Sequence, residues 1–137
     1  MELKNLSDIL HRLRNIEYKL TQKFEDKTGF SLTRYQILNF LSENSGSNQE
    51  EIRQFIQIDR SAITRHLKIL EEKGYVTRQR KEDNAREIIV SISDFAISEL
   101  EKCDMNHKDN SCILPDTISG DEINSLIELL EIIEKEI

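Results

Sequence analysis

The sequence has few of the residues that build phosphate sites, disulfide frameworks or membrane spans. Of its 137 residues, four are glycine, one is proline, two are cysteine and none is tryptophan. Phosphate-binding loops need clustered glycines, whereas here they lie singly, at Gly29, Gly46, Gly74 and Gly120. Two cysteines do not form a disulfide framework. No apolar run approaches the roughly 18 residues of a membrane span, and residues 1–13 carry no signal-peptide core. We therefore expect a cytoplasmic protein with no membrane partner.

Charge is unevenly distributed along the chain, whose formal net charge is −7. Residues 1–59 carry a net charge of −1, residues 60–86 carry +4 and residues 87–137 carry −10. An acidic protein with one compact basic segment can present a single surface to a polyanion. A solvated helix face of mixed charge is the ordinary alternative, and the charge alone does not decide between them.

Apolar periodicity predicts a long first helix followed by three short helices. Apolar residues at three- and four-residue spacing run from Leu3 to Phe24, and Gly29 is placed to end that helix. The third short helix is expected to end at Gly74. Side chains that cap free backbone amides predict where the short helices begin: Thr33 with Gln36, Ser47 with Glu50, and Asp59.

The pattern then changes to β-branched residues. Residues 75–80 and 86–92 predict a two-stranded hairpin with a polar tip over residues 81–85. A further helix, capped by Ser93 or Asp94, is expected to follow, and a kink or break over residues 106–111 is left open. The apolar stripe of this helix is predicted at Ala96, Leu100 and Cys103. The final helix is predicted to begin with a capping box formed by Ser119 and Glu122.

A helix-turn-helix followed directly by a hairpin is the arrangement of a winged helix, whose second helix enters the DNA major groove. At about 100° per residue, Ile63, Leu67 and Leu70 form the buried stripe of that helix, and His66 lies nearer the buried flank as a structural residue. The exposed face carries small hydroxyls and cations that can reach base edges and phosphates. The predicted DNA-binding residues of this helix are Arg60, Ser61, Thr64, Arg65 and Lys68.

The hairpin also carries candidate DNA contacts. Arg78 and Arg80 share one face of its first strand, and Arg86 is expected to open the second. An arginine at the tip of a β-ribbon can enter the minor groove, where the potential is most negative. Lys81 and Asp83 complete the predicted wing contacts. Alternatively, Arg86 pairs with Asp83 and tightens the turn, and the two roles are compatible.

These segments resemble the MarR-type transcriptional regulators. The resemblance rests on IDRSAITRHL at 58–67, LEEKGYVTR at 70–78 and DNAR at 83–86, and it is densest over residues 33–93. It implies a mostly α fold with a small β-hairpin wing, in which a winged helix-turn-helix domain is flanked by N- and C-terminal dimerisation helices. It further implies an obligate homodimer that binds pseudo-palindromic operator DNA and is released by ligands or oxidants.

We expect a single domain over residues 1–137, with the DNA-binding lobe at 31–93 and dimerisation helices at 1–29 and 94–137. The residues support a dimer independently, because eight of the last fifteen are Ile or Leu and one small domain covers only part of such a helix. Packing within one chain is the alternative. The predicted interface residues are Leu3, Leu6, Leu10, Leu13, Ile123, Leu126, Ile127, Leu130, Ile133 and Ile137.

The residues also suggest candidate sensing sites. His11, Arg14 and Tyr18 form a polar stripe on the first helix that could hold an anionic aromatic effector, although solvent exposure is the favoured explanation of the stripe. Cys103 and His107 stand four residues apart and could ligate a metal from one helix face. Two ligands do not make a site, so no metal and no other cofactor is assigned.

The leading hypothesis is a homodimeric transcriptional regulator, a repressor, that binds double-stranded DNA and responds to a small-molecule effector. One alternative is a winged helix that docks a partner protein, which the net charge of −7 favours slightly. Another is a metal- or redox-sensing regulator that uses Cys103, His107 and Cys112. An enzyme is not expected, because no nucleophile–base constellation, phosphate loop or carboxylate pair stands out.

Overall fold

The computed structural model describes residues 1–81, 83–107 and 113–137, with the backbone alone for residues 84–86. Backbone contacts group the elements into two compact units. The first unit contains α1 up to Lys23 together with α6, and the second contains the last turn of α1 and all other elements. In chain order the elements are α1 (Leu3–Thr28), α2 (Leu32–Glu43), β1 (Ser47–Asn48), α3 (Gln49–Ile56), α4 (Arg60–Glu72), β2 (Val76–Lys81), β3 (Asn84–Ile92), α5 (Asp94–Asn106) and α6 (Gly120–Glu136).

Three of the predicted helix starts are confirmed by their caps. The carboxylate of Asp59 accepts a hydrogen bond from the Ala62 amide at 2.7 Å and begins α4. Ser93 caps α5, and Ser119 forms the capping box of α6 together with Glu122. Each cap satisfies backbone amides that the helix itself leaves without partners.

The predicted starts of α2 and α3 are wrong by one or two residues. The N-cap of α2 is Ser31, not Thr33. The capping box of α3 joins Asn48 to Glu51, not Ser47 to Glu50. Ser47 is only 5% exposed and lies in β1, where its hydroxyl donates to the Asn44 carbonyl. Because the Ser47 hydroxyl is engaged in this bond, Asn48 caps α3 instead.

The core of the second unit is built from α2, α3, α4, α5 and the sheet. The predicted stripe of α4 is confirmed, since Ile63, Leu67 and Leu70 are at most 1% exposed. Burying a side chain of this size stabilises the fold by roughly 1.5–3 kcal/mol, so this stripe holds α4 against the rest of the unit. The other buried apolar residues are Ile37, Leu38, Leu41, Ile52, Val76, Val90, Ala96 and Leu100.

The strands form an antiparallel sheet in the order β1-β3-β2. The predicted hairpin is present as β2 and β3, whose register runs from Val76 opposite Ile92 to Arg80 opposite Ile88 and then shifts at a bulge. The predicted tip over 81–85 is too long, because Lys81 pairs with Asn84. Arg86 consequently lies inside β3 and does not open it. β1 was not predicted, because two residues are too short to show a period.

Gly74 lies in the short connection between α4 and β2. Its φ of +77° lies in the left-handed region that glycine adopts at little cost. The Gly74 amide donates to the Glu71 carbonyl, and the Tyr75 amide donates to the Leu70 carbonyl at 2.9 Å. These bonds close the last turn of α4 and begin β2 two residues later, which confirms the predicted helix end.

Helices α1 and α6 differ from the others because neither contains a buried residue. Helix α1 ends at Thr28, directly before Gly29, as predicted. Helix α5 ends at Asn106, and the rest of the segment in which a kink or break was left open, from residue 108 on, lies outside the described residues. No helix in the described ranges combines the length and the apolar character that a membrane span requires.

Candidate nucleic-acid interface

The exposed face of α4 carries every side chain that the sequence predicted for the recognition helix. All five are exposed, while the opposite stripe of the same helix is buried. This division gives α4 one face that holds it in the fold and one that is available to a ligand. The exposed set is Arg60, Ser61, Thr64, Arg65 and Lys68.

The first turn of α4 is organised by Asp59. Its carboxylate accepts hydrogen bonds from the Ala62 amide and, at 2.9 Å, from the Ser61 hydroxyl. These bonds, with a smaller contribution from the charge of Arg65, hold the pKa of Asp59 below its usual value. The carboxylate is therefore ionised at neutral pH and orients the Ser61 side chain.

Two side chains of α3 contact the exposed face of α4. The Gln49 amide Nε2 donates to the Thr64 Oγ1 at 2.9 Å, and Thr64 donates to the Arg60 carbonyl at 2.9 Å. The Arg60 Nε lies 3.9 Å from the Glu50 carboxylate. Glu50 also pairs with Arg53, and that hydrogen bond lowers the pKa of Glu50. Since the Arg60 side chain is 84% exposed, its pairing with Glu50 is weak.

The wing is held against α4 by an ion pair. The Arg78 Nη2 donates to the Glu71 Oε1 at 2.9 Å, and the Arg78 side chain is only 23% exposed. This bond raises the pKa of Arg78 and lowers the pKa of Glu71. Arg78 thus has a partner inside the fold, and the DNA contact predicted for it stays a prediction.

The outer part of the wing keeps the other predicted residues at the surface. Arg80, Lys81 and Asp83 are exposed. The Lys81 ammonium lies 3.6 Å from the Glu87 carboxylate, which also accepts a hydrogen bond from the Asn48 side chain at 2.9 Å. Because Asn48 caps α3, Glu87 links the wing to the start of that helix. The side chain of Arg86, and with it the predicted pairing to Asp83, lies outside the described residues.

His66 occupies the structural position that its helical phase predicts. The Arg34 Nη1 donates to the His66 Nδ1 at 3.4 Å, which joins α2 to α4. Partial burial, followed by the charges of Arg34 and Arg65, lowers the pKa of His66 below its usual value. Protonation would place a cation against the Arg34 guanidinium, so the neutral form is the one that suits the fold.

We expect the free energy of unfolding to fall as the pH drops below about 6.5, where the histidine of the unfolded chain begins to take up a proton. The folded state, in which the pKa of His66 is lowered, takes up that proton only at lower pH. Stability is therefore fully present above pH 6.5 and is lost between the two values. Urea unfolding at pH 7.5 and 5.5 measures this, and His66→Gln should reduce the difference.

His11→Gln is the matched control for this measurement, because His11 is exposed on α1 and its ring bonds Asn15, a neighbour on the same helix. That variant should keep the full difference between the two pH values. If His66→Gln kept it as well, the Arg34–His66 contact would not be the source of the pH dependence.

The candidate sensing residues of the first helix belong to α1, which contributes no residue to the surface described above. His11, Arg14 and Tyr18 are exposed on α1, and the Tyr18 hydroxyl accepts a hydrogen bond from Gln22 at 2.9 Å. Their role as an effector site stays a prediction.

Cys103 is partly exposed on α5, and burial, with the charge of Asp104, raises the pKa of its thiol. His107 follows the helix as its C-cap. Among the described residues no three His, Cys, Asp or Glu side chains converge as metal ligands. Cys112 lies outside the described residues. The metal- and redox-sensing alternative gains no support from the residues around Cys103.

Sequence reasoning missed the side chains of α3 and β3 that border the recognition face. Gln49 bonds Thr64, and Glu87 bonds Asn48 and Lys81. A correct N-cap at Asn48 would have placed Gln49 at the first position of α3, next to the face of α4. The contact between Asn48 and Glu87 joins residues 39 positions apart, so the local sequence pattern does not indicate it.

Comparison with known proteins decides the family. The model of the MarR family matches residues 30–88. An uncharacterized HTH-type transcriptional regulator of Bacillus subtilis, YdgJ, is 31% identical over 124 residues, which cover 90% of this chain and 76% of the relative. The chain belongs to the MarR family. It is a winged-helix, DNA-binding regulator of transcription, and neither this family nor this fold is that of an enzyme.

Solved structures share the fold across nearly the whole chain. A mutant MarR from E. coli in complex with operator DNA superposes with a TM-score of 0.80 at 19% identity, covering 97% of this chain and 99% of that one. The repressor CouR bound to a 23-mer DNA duplex gives 0.82 at 22% identity, covering 98% of both chains. Reduced AbfR bound to DNA gives 0.80 at 22% identity, covering 98% of this chain and 94% of that one. The predicted winged-helix fold is confirmed.

Proposed function

We propose that this MarR-family protein is a cytoplasmic homodimeric repressor that binds a pseudo-palindromic DNA operator and is released by an effector. The observation that carries the proposal is the exposed face of α4, where hydroxyls and cations stand over a fully buried apolar stripe. Such side chains reach base edges in the major groove and hold flanking phosphates. The proposal includes no enzymatic activity.

Exposed apolar side chains on α1 and α6 support the homodimer. In the single chain, Leu10 is 53% exposed, Leu126 54% and Ile133 56%. Monomeric proteins rarely leave extended apolar faces in water, so a second copy of the chain is the natural cover. A two-fold axis would place the recognition helices about 34 Å apart, which matches half-sites one turn of the duplex apart.

The distribution of charge supports one docking orientation. The basic segment 60–86 contains α4, β2 and the first residues of β3, whereas residues 87–137 carry −10. A polyanion is attracted to the first and repelled by the second. DNA would therefore dock on the face that α4 and the wing form.

An effector can release the dimer from DNA by changing the separation of its two recognition helices, which must match the spacing of the two half-sites. Both recognition helices must dock on one rigid duplex, so a ligand that changes their separation reduces affinity without touching the bases. The polar stripe of His11, Arg14 and Tyr18 on α1 is the proposed contact for an anionic aromatic effector. The structures of MarR, CouR and AbfR bound to DNA support the DNA-binding part of this proposal.

Selection of bound sequences from a random duplex pool tests the proposal. We expect an inverted repeat whose half-sites are separated by about 10 base pairs, centre to centre. A gel-shift with random duplex at low salt is the companion measurement, and weak binding that disappears as salt rises is expected. If neither experiment detects binding, the alternative hypothesis is favoured, in which the winged helix docks a protein partner, as the net charge of −7 would allow.

A further inference from the structure

The hydroxyl of Thr64 is already occupied within the protein. Its single proton is donated to the Arg60 carbonyl at 2.9 Å, and its oxygen accepts a hydrogen bond from the Gln49 amide at 2.9 Å. A hydroxyl has one proton to donate. Thr64 therefore has no donor left for a base edge or a phosphate.

These bonds leave the γ-methyl of Thr64 and one lone pair of its oxygen without a partner among them, and the methyl is the apolar group that can contact a base. Thr64 is exposed on α4 and lies with Ser61 and Arg65 on the face that is proposed to meet DNA. In the major groove, thymine differs from cytosine by its C4 oxygen and its C5-methyl group, and threonine methyls make apolar contact with that methyl. Two hydrogen bonds on the hydroxyl restrict the rotation of this exposed side chain, so its methyl has a defined position from which such a contact can be made.

We propose that Thr64 selects a thymine through its methyl group and that Gln49 is the residue that positions it. This inference rests on the proposed DNA-binding function and adds a specificity rule to it. Gln49 acts from α3 by holding the Thr64 hydroxyl away from the groove. The chemistry recognised is the C5-methyl of one thymine in each half-site.

Deoxyuridine lacks only that methyl group, so it isolates the contact. In duplexes of the selected operator, each thymine of the half-site is replaced in turn by deoxyuridine and affinity is measured by fluorescence anisotropy. For one position we expect the wild type to bind about fourfold more weakly per half-site, the factor that burial of one methyl group gives.

Two variants of Thr64 separate the methyl from the hydroxyl. Thr64→Ser keeps both hydrogen bonds and removes the methyl, so it should bind the thymine and deoxyuridine duplexes equally. Thr64→Val removes the hydroxyl and keeps a methyl, so it should retain the fourfold preference. Since the side chain is exposed, circular dichroism should show both variants folded.

Gln49→Ala tests the positioning role. Without the amide, only the Arg60 carbonyl holds the Thr64 hydroxyl, so the hydroxyl turns toward the groove in part of the molecules and the preference for thymine should fall below fourfold. The double variant Gln49→Ala/Thr64→Val has no hydroxyl to present and should recover the fourfold preference. A purely structural role of Gln49 would not be rescued in this way.

The inference is overturned if Thr64→Ser keeps the preference of the wild type, or if no deoxyuridine in the half-site weakens binding. Those results leave operator binding itself intact. Failure of the proposed function is a different outcome, because the selection would then recover no sequence and the wild type would bind no duplex at low salt.

Discussion

Replacing Leu126 and Ile133 together with lysine should convert the protein to a monomer and weaken operator binding by about 100-fold or more. The two side chains are 54% and 56% exposed in the single chain, so the substitution costs the monomer fold little packing. It places two charges in the proposed dimer interface, where they would be buried without partners. Because lysine adds positive charge, which attracts DNA, a loss of DNA binding cannot come from electrostatic repulsion.

Analytical ultracentrifugation and anisotropy on the selected operator measure the two halves of this prediction. The matched control is Asp121→Lys/Glu128→Lys, which adds two lysines at exposed acidic positions of the same helix, on the face opposite Leu126 and Ile133 and with the same seven-residue spacing. It should remain dimeric and bind at least as tightly as the wild type. The melting temperature of the wild type should rise with protein concentration, as linked folding and dimerisation require.

A Leu126→Lys/Ile133→Lys variant that sediments as a dimer would show that these residues are not at the interface. A wild-type protein that is monomeric at all concentrations would remove the dimer from the proposal altogether. Each result is independent of whether the chain binds DNA.

Replacing Arg65 with alanine should reduce operator affinity by roughly 100-fold, because a base contact contributes about 1–3 kcal/mol and both protomers lose it. Arg65 is exposed on α4, one residue after Thr64. It is the sixth residue of the thirteen in α4, so it lies in the N-terminal half of the helix. There, recognition helices contact base edges.

The signature of a base contact is that the selected operator is affected more than a random duplex. Titrations of both duplexes at two salt concentrations make that comparison. Arg12→Ala is the control, because it removes the same charge from α1, where Arg12 pairs with Asp8 and its side chain is 71% exposed. It should leave both affinities near the wild-type values, whereas an equal loss on both duplexes for Arg65→Ala would identify a phosphate contact.

The elements that the sequence predicted well are those decided by local chemistry. Asp59 caps α4 because a carboxylate satisfies its free amides, and Gly74 ends α4 because its φ is positive. The buried stripe of Ile63, Leu67 and Leu70 follows from the period of a helix. These features involve residues at most a few positions apart, so their pattern is visible along the chain.

The errors arose where a residue had two local roles and a distant partner chose between them. Ser47 and Asn48 are both good N-caps, and the pairing of β1 with β3 buried Ser47 and left Asn48 to cap α3. The ion pair between Arg78 and Glu71 was also not predicted, and the DNA contact predicted for Arg78 stays a prediction. Position along the strand could not reveal that partner.

By itself, the sequence determined the family, the winged-helix order of elements, the basic segment and the outward face of α4, because capping, periodicity and charge are properties of neighbouring residues. Only the tertiary structure decided which polar groups are already engaged. It brings Gln49 to Thr64 and Asn48 to Glu87, contacts between residues far apart in the chain. A hydrogen bond depends on distance in space, so the chemistry that a side chain still has to offer is known only after folding.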